Sequence, residues 1–406
     1  MSESTTTPVD NSPVKRPTAL ILLIFIAFIA LGMPDGLLGV GWPTIRADFG
    51  IPLDAIGMLL FASLAGYLTS SFFSGAILRR WNVGKVLIVS CMVSGVGLVG
   101  YTLVPQWWMM VSLGVLAGLG AGTIDAGLNA YVANHFGPGL MQWLHASYGI
   151  GVTTGPLLMT YFVTQAAQWR SAYLVVGGFQ LVLSIVFVLT LPLWAANEKP
   201  KTIEQAQTIP VEKTRLFQTL RTPEVWLSGA LFFLYVGSEV MLGTWTFSLL
   251  TEARGVTPEL AGLFAGSYWF SFTIGRVLAG LVTRKLRIER LVFGSLMVAV
   301  AGAVLLVATS NPWASLVAVA LIGFAFAPIF PGFVTGTARR VGQKHHDNAI
   351  GIQIAIGGIG GSALTSLVGV LARRFGLEVM PVALLTILVL LSGLYWLSTR
   401  KDHTNL

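Results

Sequence analysis

The sequence predicts an all-α membrane protein with twelve transmembrane helices in two six-helix bundles. Three observations lead there. The chain of 406 residues is 54% hydrophobic and only 10% charged, with a mean hydropathy of +0.76. A soluble domain carries roughly 25% charged residues, so a surface this apolar has to face lipid. Apolar stretches of bilayer-crossing length, about 20 residues each, recur along the whole chain. The second half also repeats the first at a fixed offset.

The first six stretches centre near Ile29, Ala65, Gly95, Gly120, Thr153 and Leu183, and the next six near Val236, Thr273, Val300, Gly323, Gly360 and Val389. Many hold Gly or Pro, which membrane helices tolerate better than soluble ones. Residues 1–17 are polar and read as a disordered cytoplasmic N-terminus. The apolar run after them is too long for a signal-peptide core and reads as a retained first helix. Residues 18–195 are expected to form the N-terminal bundle and 223–398 the C-terminal one. Between them, 196–222 is rich in Lys, Glu, Gln and Thr and holds two prolines, so it reads as a cytoplasmic linker. Residues 399–406 are left as a cytoplasmic tail.

Loop charges orient the chain. With the N-terminus inside, only Arg46, Arg170, Arg254, Arg373 and Arg374 fall outside, and Arg276 lies within a span. The other basic residues are all on the inner side, as the positive-inside rule requires. Both termini are therefore expected in the cytoplasm, with the chain in the cell (inner) membrane. The net charge of +8 sits in short loops rather than on one face, which argues against a nucleic-acid partner. A single cysteine, Cys91, excludes an internal disulfide and reads as packing. No histidine spacing fits a metal site. No P-loop, nucleophile elbow, zinc motif or dinucleotide fingerprint occurs, so no enzyme activity is expected.

The repeat is read by shifting the chain by 205 residues. Gly50 then falls on Gly255, Asp54 on Glu259, Gly75 on Gly280, Arg79 on Arg284, Gly118 on Gly323 and Gly127 on Gly332. An offset of six helices keeps both halves running the same way through the membrane.

Three acids are stranded in apolar stretches: Asp35 in 20–40, Asp125 in 109–132 and Glu239 in 225–250. A carboxylate at that depth costs roughly 2.5–3.5 kcal/mol on insertion scales and marks a binding site or a water-filled path. A structural polar pair between two helices is the plainer reading. Asp125 and Asn129 stand four residues apart and share a helix face, a carboxylate and an amide suited to a vicinal diol. Gly118, Gly120, Gly122 and Gly127 serve close helix packing or close approach of a ligand. Pro34 is expected to break the first helix and free backbone carbonyls toward a cavity. A carboxyl group taken out of water can hold a proton at neutral pH, which proton coupling requires. His145 is a hydrogen-bonding or relay candidate, or an ordinary interhelical histidine. Trp245 and Trp269 are candidates for stacking under a ring, or simply core. Arg276 is expected to snorkel or to pair with an acid.

Parallel six-helix repeats are the plan of the major facilitator superfamily, which the chain resembles over nearly its whole length. The segment Gly75-Ala76-Ile77-Leu78-Arg79-Arg80-Trp81-Asn82-Val83-Gly84-Lys85 resembles the family's signature loop between helices 2 and 3, with Arg79 in place of its Asp. Its second copy begins at Gly280 and includes Arg284. In the family this loop is a conformational latch, so Gly75, Arg79, Arg80, Lys85 and Arg284 take that part by resemblance. Finer motifs are similar to the fucose–proton symporter family and its glucose-transporting relatives. They are Asp125-Ala126-Gly127-Leu128-Asn129, Leu144-His145-Ala146-Ser147-Tyr148-Gly149, Gly237-Ser238-Glu239 with Trp245, Tyr268-Trp269 before Gly275-Arg276, and Pro328-Ile329-Phe330-Pro331. The resemblance implies proton coupling through Asp35 and Asp125. It implies solute contact through Asp125, Asn129, His145, Glu239, Trp245 and Trp269.

The expectation is a secondary active transporter, a monomer in the lipid bilayer, moving a small hydroxylated, monosaccharide-like solute. Transport is by alternating access and proton symport, with sodium open as the coupling ion and no cofactor. A proton-driven exporter of amphipathic compounds is the alternative, since Gly151-Val152-Thr153-Thr154-Gly155-Pro156 matches half of an antiporter motif. A non-transporting scaffold or receptor is the third reading.

Overall fold

The structure, a computed structural model, describes residues 18–136, 138–165, 168–196, 214, 216–282 and 286–404. The expected tail 1–17, residues 197–213 and 215 of the expected linker, and Arg284 lie outside the described residues.

The long helices are α1 (Thr18–Phe49), α2 (Ile56–Arg80), α3 (Val83–Tyr101), α4 (Trp107–His135), α5 (Pro138–Gln165) and α6 (Trp169–Leu189). They continue as α7 (Pro223–Ser248), α8 (Pro258–Val282), α9 (Ile288–Ala308), α10 (Pro312–Phe326), α11 (His346–Phe375) and α12 (Val379–Thr404). Short helices at Leu191–Ala196 and Leu216–Leu220 flank the middle of the chain. Among the described residues every regular element is helical, and ten helices are long and apolar enough to cross a membrane. Lipid offers the backbone no hydrogen bonds, so a spanning chain must satisfy its own as helix. The protein is therefore a multi-pass integral membrane protein. α5 and α8 are not among the ten. They have spanning length, 28 and 25 residues, but hold His145, Ser147 and Thr153 on one and Ser267, Ser271 and Arg276 on the other.

Local chemistry explains several helix boundaries. Proline opens α5, α7, α8 and α10, where its missing N–H costs nothing. Asn82 caps α3 by accepting from the Lys85 N–H at 2.9 Å, and Asn311 caps α10 from Trp313 and Ala314. Gly50 and Gly255 hold φ of 61° and 63° in the turns after α1 and α7, a conformation that other residues adopt only with strain.

Those two glycines lie 205 residues apart, and helix starts keep the same interval: 18 and 223, 83 and 288, 107 and 312. Packing repeats with them. α1 lies on α5 and α6, α2 on α4, and α3 on α4 and α6. In the second set α7 lies on α11 and α12, α8 on α10, and α9 on α10 and α12.

Glycine lets these backbones touch. A Cβ on Gly118 or Gly66 would overlap backbone atoms of the partner helix, at Ser63 and Val115 respectively. Gly120 faces Ser90 and Ser94 as closely, at 2.6 Å. Packing is thus the role of Gly118, Gly120 and Gly122. Gly118→Val is expected to destabilise the α2–α4 contact by about 1–3 kcal/mol, the usual cost of overpacking. A fall in melting temperature in detergent checks it; an unchanged value would show that the two helices part freely.

The two sets meet along α5–α8, α2–α11 and α1–α7. On the first seam Gly262 faces Thr160, Gly266 faces Leu157, Gly149 faces Thr273 and Gly280 faces Gln142. On the second Gly57 faces Ser366 and Gly358 faces Leu64. Gly39 of α1 lies against the backbone of Gly243 and Thr244. At the end where α1 passes into α2, ion pairs Arg46–Glu252 and Arg373–Asp54 (3.0 Å) join the sets. That end is sealed.

Candidate functional site

Asp35 lies midway along α1. Pro34 has no N–H, so the carbonyl of Ala30 loses its helical partner. The expected break does not occur: α1 runs unbroken through Pro34. Gln180 of α6 donates its Nε2–H to the Ala30 carbonyl at 2.9 Å, so the freed group is satisfied within the packing. The Asp35 side chain is exposed at this depth. Tyr148 of α5 donates to its Oδ2 at 2.6 Å, and the charge of Asp125 on α4 reaches it. The space around Asp35 is thus inside the molecule rather than in lipid.

Asp125 accepts from the Tyr67 hydroxyl of α2 at 2.5 Å and from Asn129 Nδ2 at 2.8 Å. The same Asn129 nitrogen donates to the Asp125 carbonyl at 2.9 Å. The expected pair on one helix face is formed, but both amide hydrogens are spent within it. What remains for a solute is the Asn129 Oδ1 and the spare lone pairs of the carboxylate.

Glu239 lies on α7, one turn beyond Tyr235, and Tyr268 of α8 donates to its backbone carbonyl at 3.1 Å. Arg276, two turns further along α8, feels Glu239 but makes no ion pair with it. Its guanidinium sits 4.4 Å from the centre of the Phe272 ring, and its Nε is buried without a hydrogen-bond partner. Of the two expectations for Arg276, pairing with an acid is not seen among the described residues. His145 packs edge-on to Phe28 at 5.9 Å and lies within reach of the Arg276 charge.

The two tryptophans are placed differently. Trp245 is fully buried, donates Nε1–H to the Thr365 carbonyl at 3.0 Å and packs on Gly369, tying α7 to α11. Trp269 lies against Gly243 and edge-on to Tyr268 at 4.6 Å. Neither offers a free ring face in this state. Gly75, Arg79 and Arg80 close α2, and Lys85 opens α3 beneath the Asn82 cap. Sequence reasoning missed Tyr67 as the partner of Asp125. The polar spacing Ser63, Tyr67, Ser70, Ser74 along an apolar helix was the available signal.

Carboxylates and a guanidinium from α1, α4, α7 and α8, in a helical membrane protein built as a repeat, define a solute-handling membrane protein. The profile of the Major Facilitator Superfamily matches residues 22–365. The chain belongs to that family. It is 25% identical to Bypass of stop codon protein 6 of Saccharomyces cerevisiae over 96% of this chain and 84% of the yeast protein. It is also 25% identical to the glucose/mannose transporter GlcP of Bacillus subtilis, over 80% of this chain and 81% of that one. In fold it matches a bacterial homologue of the human lysosomal transporter Spinster, solved in an inward-facing and occupied conformation. That match has a TM-score of 0.76 and 14% identity, over 96% of this chain and 99% of the other. The expected resemblance to sugar-transporting members of the superfamily is borne out by the Bacillus match.

Proposed function

We propose that this chain is a secondary active transporter moving a small hydroxylated, monosaccharide-like solute by alternating access, with protons as the coupling ion. The observation that carries the reading is a pair of acids at membrane depth, each held by a tyrosine of a neighbouring helix: Tyr148 on the exposed Asp35 at 2.6 Å and Tyr67 on Asp125 at 2.5 Å. Charges at membrane depth are costly and persist where they handle polar cargo or ions. The similarity to the Bacillus glucose/mannose transporter supports a sugar-like cargo.

In this reading twelve helices span the membrane as two bundles, 18–195 and 223–398. α5 and α8 complete the set, and their polar residues face the seam between bundles. Both termini are cytoplasmic, and the protein is a monomer in the inner membrane. The end joined by Arg46–Glu252 and Arg373–Asp54 then faces outward. Asp35 and Asp125 carry the protons. Ionised or protonated, they keep an oxygen that accepts from Tyr148 and Tyr67; protonated, they lose the charge that resists rocking. Asp125, Asn129, His145 and Glu239 contact the solute, and Trp245 or Trp269 reaches it only in another state of the cycle. Gly75, Arg79, Arg80, Lys85 and Arg284 bias the conformation.

The test begins with a thermal-shift screen in detergent against monosaccharides, amino sugars and cationic drugs. The best ligand is then followed into proteoliposomes under an inward proton gradient. Accumulation that a protonophore abolishes is expected. Binding of hydrophobic cations but no sugar would replace the reading with proton-driven export, and sodium-dependent uptake insensitive to protonophore would reassign the coupling ion.

A further inference from the structure

Two arginines with buried guanidinium nitrogens show opposite patterns. Arg254, with 1% of its side chain exposed, is fully used. It donates to both carboxylate oxygens of Glu378 at 2.8 Å, to Ser315 Oγ at 2.7 Å and to the Leu306 carbonyl at 2.9 Å. That is an arginine holding a fold together. Arg276 is the opposite. Among the described residues it makes no ion pair, it leans on the Phe272 ring, and its Nε is buried with nothing to bond. A guanidinium presents five donors in a fixed fork, and one left short of acceptors inside a membrane protein is expensive.

Its surroundings point to what is missing. The Arg276 guanidinium lies back over Phe272, toward Tyr268, whose hydroxyl donates to the Glu239 carbonyl at 3.1 Å, yet Arg276 and Glu239 make no ion pair with one another. A gap between a fixed donor and a fixed acceptor suits a group that accepts on one side and donates on the other. A hydroxyl does both, and a vicinal pair of hydroxyls does so with both oxygens in reach. A neutral hydroxylated solute leaves the Arg–Glu charge balance intact, whereas an anionic one would set a second negative charge beside Glu239. Arg276 also lies one turn from Thr273, which meets Gly149 on the α5–α8 seam. Its charge reaches Tyr148 and His145 of the first helix set. A solute held there touches both sets at once.

We propose that Arg276 and Glu239 form a two-sided subsite on the second helix set for a neutral vicinal diol, the guanidinium donating to one hydroxyl and the Glu239 carboxylate accepting from its neighbour. This rests on the transport reading above and names Arg276 as a specificity-determining residue within it.

The test is isothermal titration of purified full-length protein with the best monosaccharide from the screen, alongside its monodeoxy analogues. Arg276→Met and Glu239→Gln are each expected to weaken binding by at least tenfold. The double variant should be little worse than either alone, because one solute bridge is lost in all three. One monodeoxy analogue should bind the wild type weakly and lose little more in Arg276→Met. The ligand-free melting temperature of Arg276→Met should be unchanged or higher, since an unsatisfied charge is removed. A lower ligand-free melting temperature with unchanged affinity would make Arg276 a structural residue and overturn the proposal. Tighter binding in Glu239→Gln, together with a preference for sugar acids, would overturn it in favour of an anionic solute. A wild type that binds no monosaccharide would sink the transport reading and this subsite with it, an outcome separate from variants that bind normally.

Discussion

Asp35→Asn is expected to abolish uphill accumulation of the solute while leaving exchange across the membrane measurable. The amide has the shape of the protonated acid and cannot release a proton, so the coupling step is lost. Exchange needs only binding and rocking. The Tyr148 hydroxyl, which donates to Asp35 Oδ2 at 2.6 Å, keeps an acceptor in the amide oxygen, so the local packing should survive. The measurement is paired: gradient-driven uptake and counterflow in the same proteoliposomes. Accumulation against a gradient in the variant would move the coupling site away from Asp35. Loss of counterflow as well would mean that Asp35 is needed for binding or rocking rather than for coupling alone.

The second large effect belongs to Asp125. Its carboxylate holds Tyr67 and Asn129 in place and keeps lone pairs for a solute hydroxyl. Removing a hydrogen bond to a charged group costs about 1.5–3 kcal/mol. At about 1.4 kcal/mol per decade, Asp125→Ala should weaken solute binding roughly ten- to a hundredfold. Asp125→Glu should be milder, because it keeps the charge. Titration of both variants, with melting curves to establish folding, decides it. Unchanged affinity in a folded Asp125→Ala protein would place the solute elsewhere.

Much of this was legible in the sequence because charges in apolar stretches are conspicuous. Asp35, Asp125 and Glu239 stood out for that reason, and each meets polar groups of neighbouring helices. The offset of 205 was read from glycines and basic loops, and it recurs in helix starts and in two matching turn conformations. Other features were hidden for identifiable reasons. Tyr67 is an aromatic in an apolar helix, and such residues do not advertise a hydroxyl contact. Trp245 is equally silent about which way it faces. The unbroken course of α1 through Pro34 depends on Gln180, which lies 150 residues away in sequence, and no local pattern reports a bond at that distance.

The ion pairs that join the two helix sets have an energetic consequence. Arg46 and Glu252 each keep 29% of their side chains exposed, and Arg373 keeps 54%. Part-exposed ion pairs contribute only about 0–1 kcal/mol each and weaken as salt screens them. Two such pairs shift a two-state balance by no more than roughly thirtyfold, since about 1.4 kcal/mol corresponds to tenfold. The charged part of the junction is therefore a latch of thermal scale rather than a bolt, and ionic strength becomes a dial on how firmly the two sets hold together at that end.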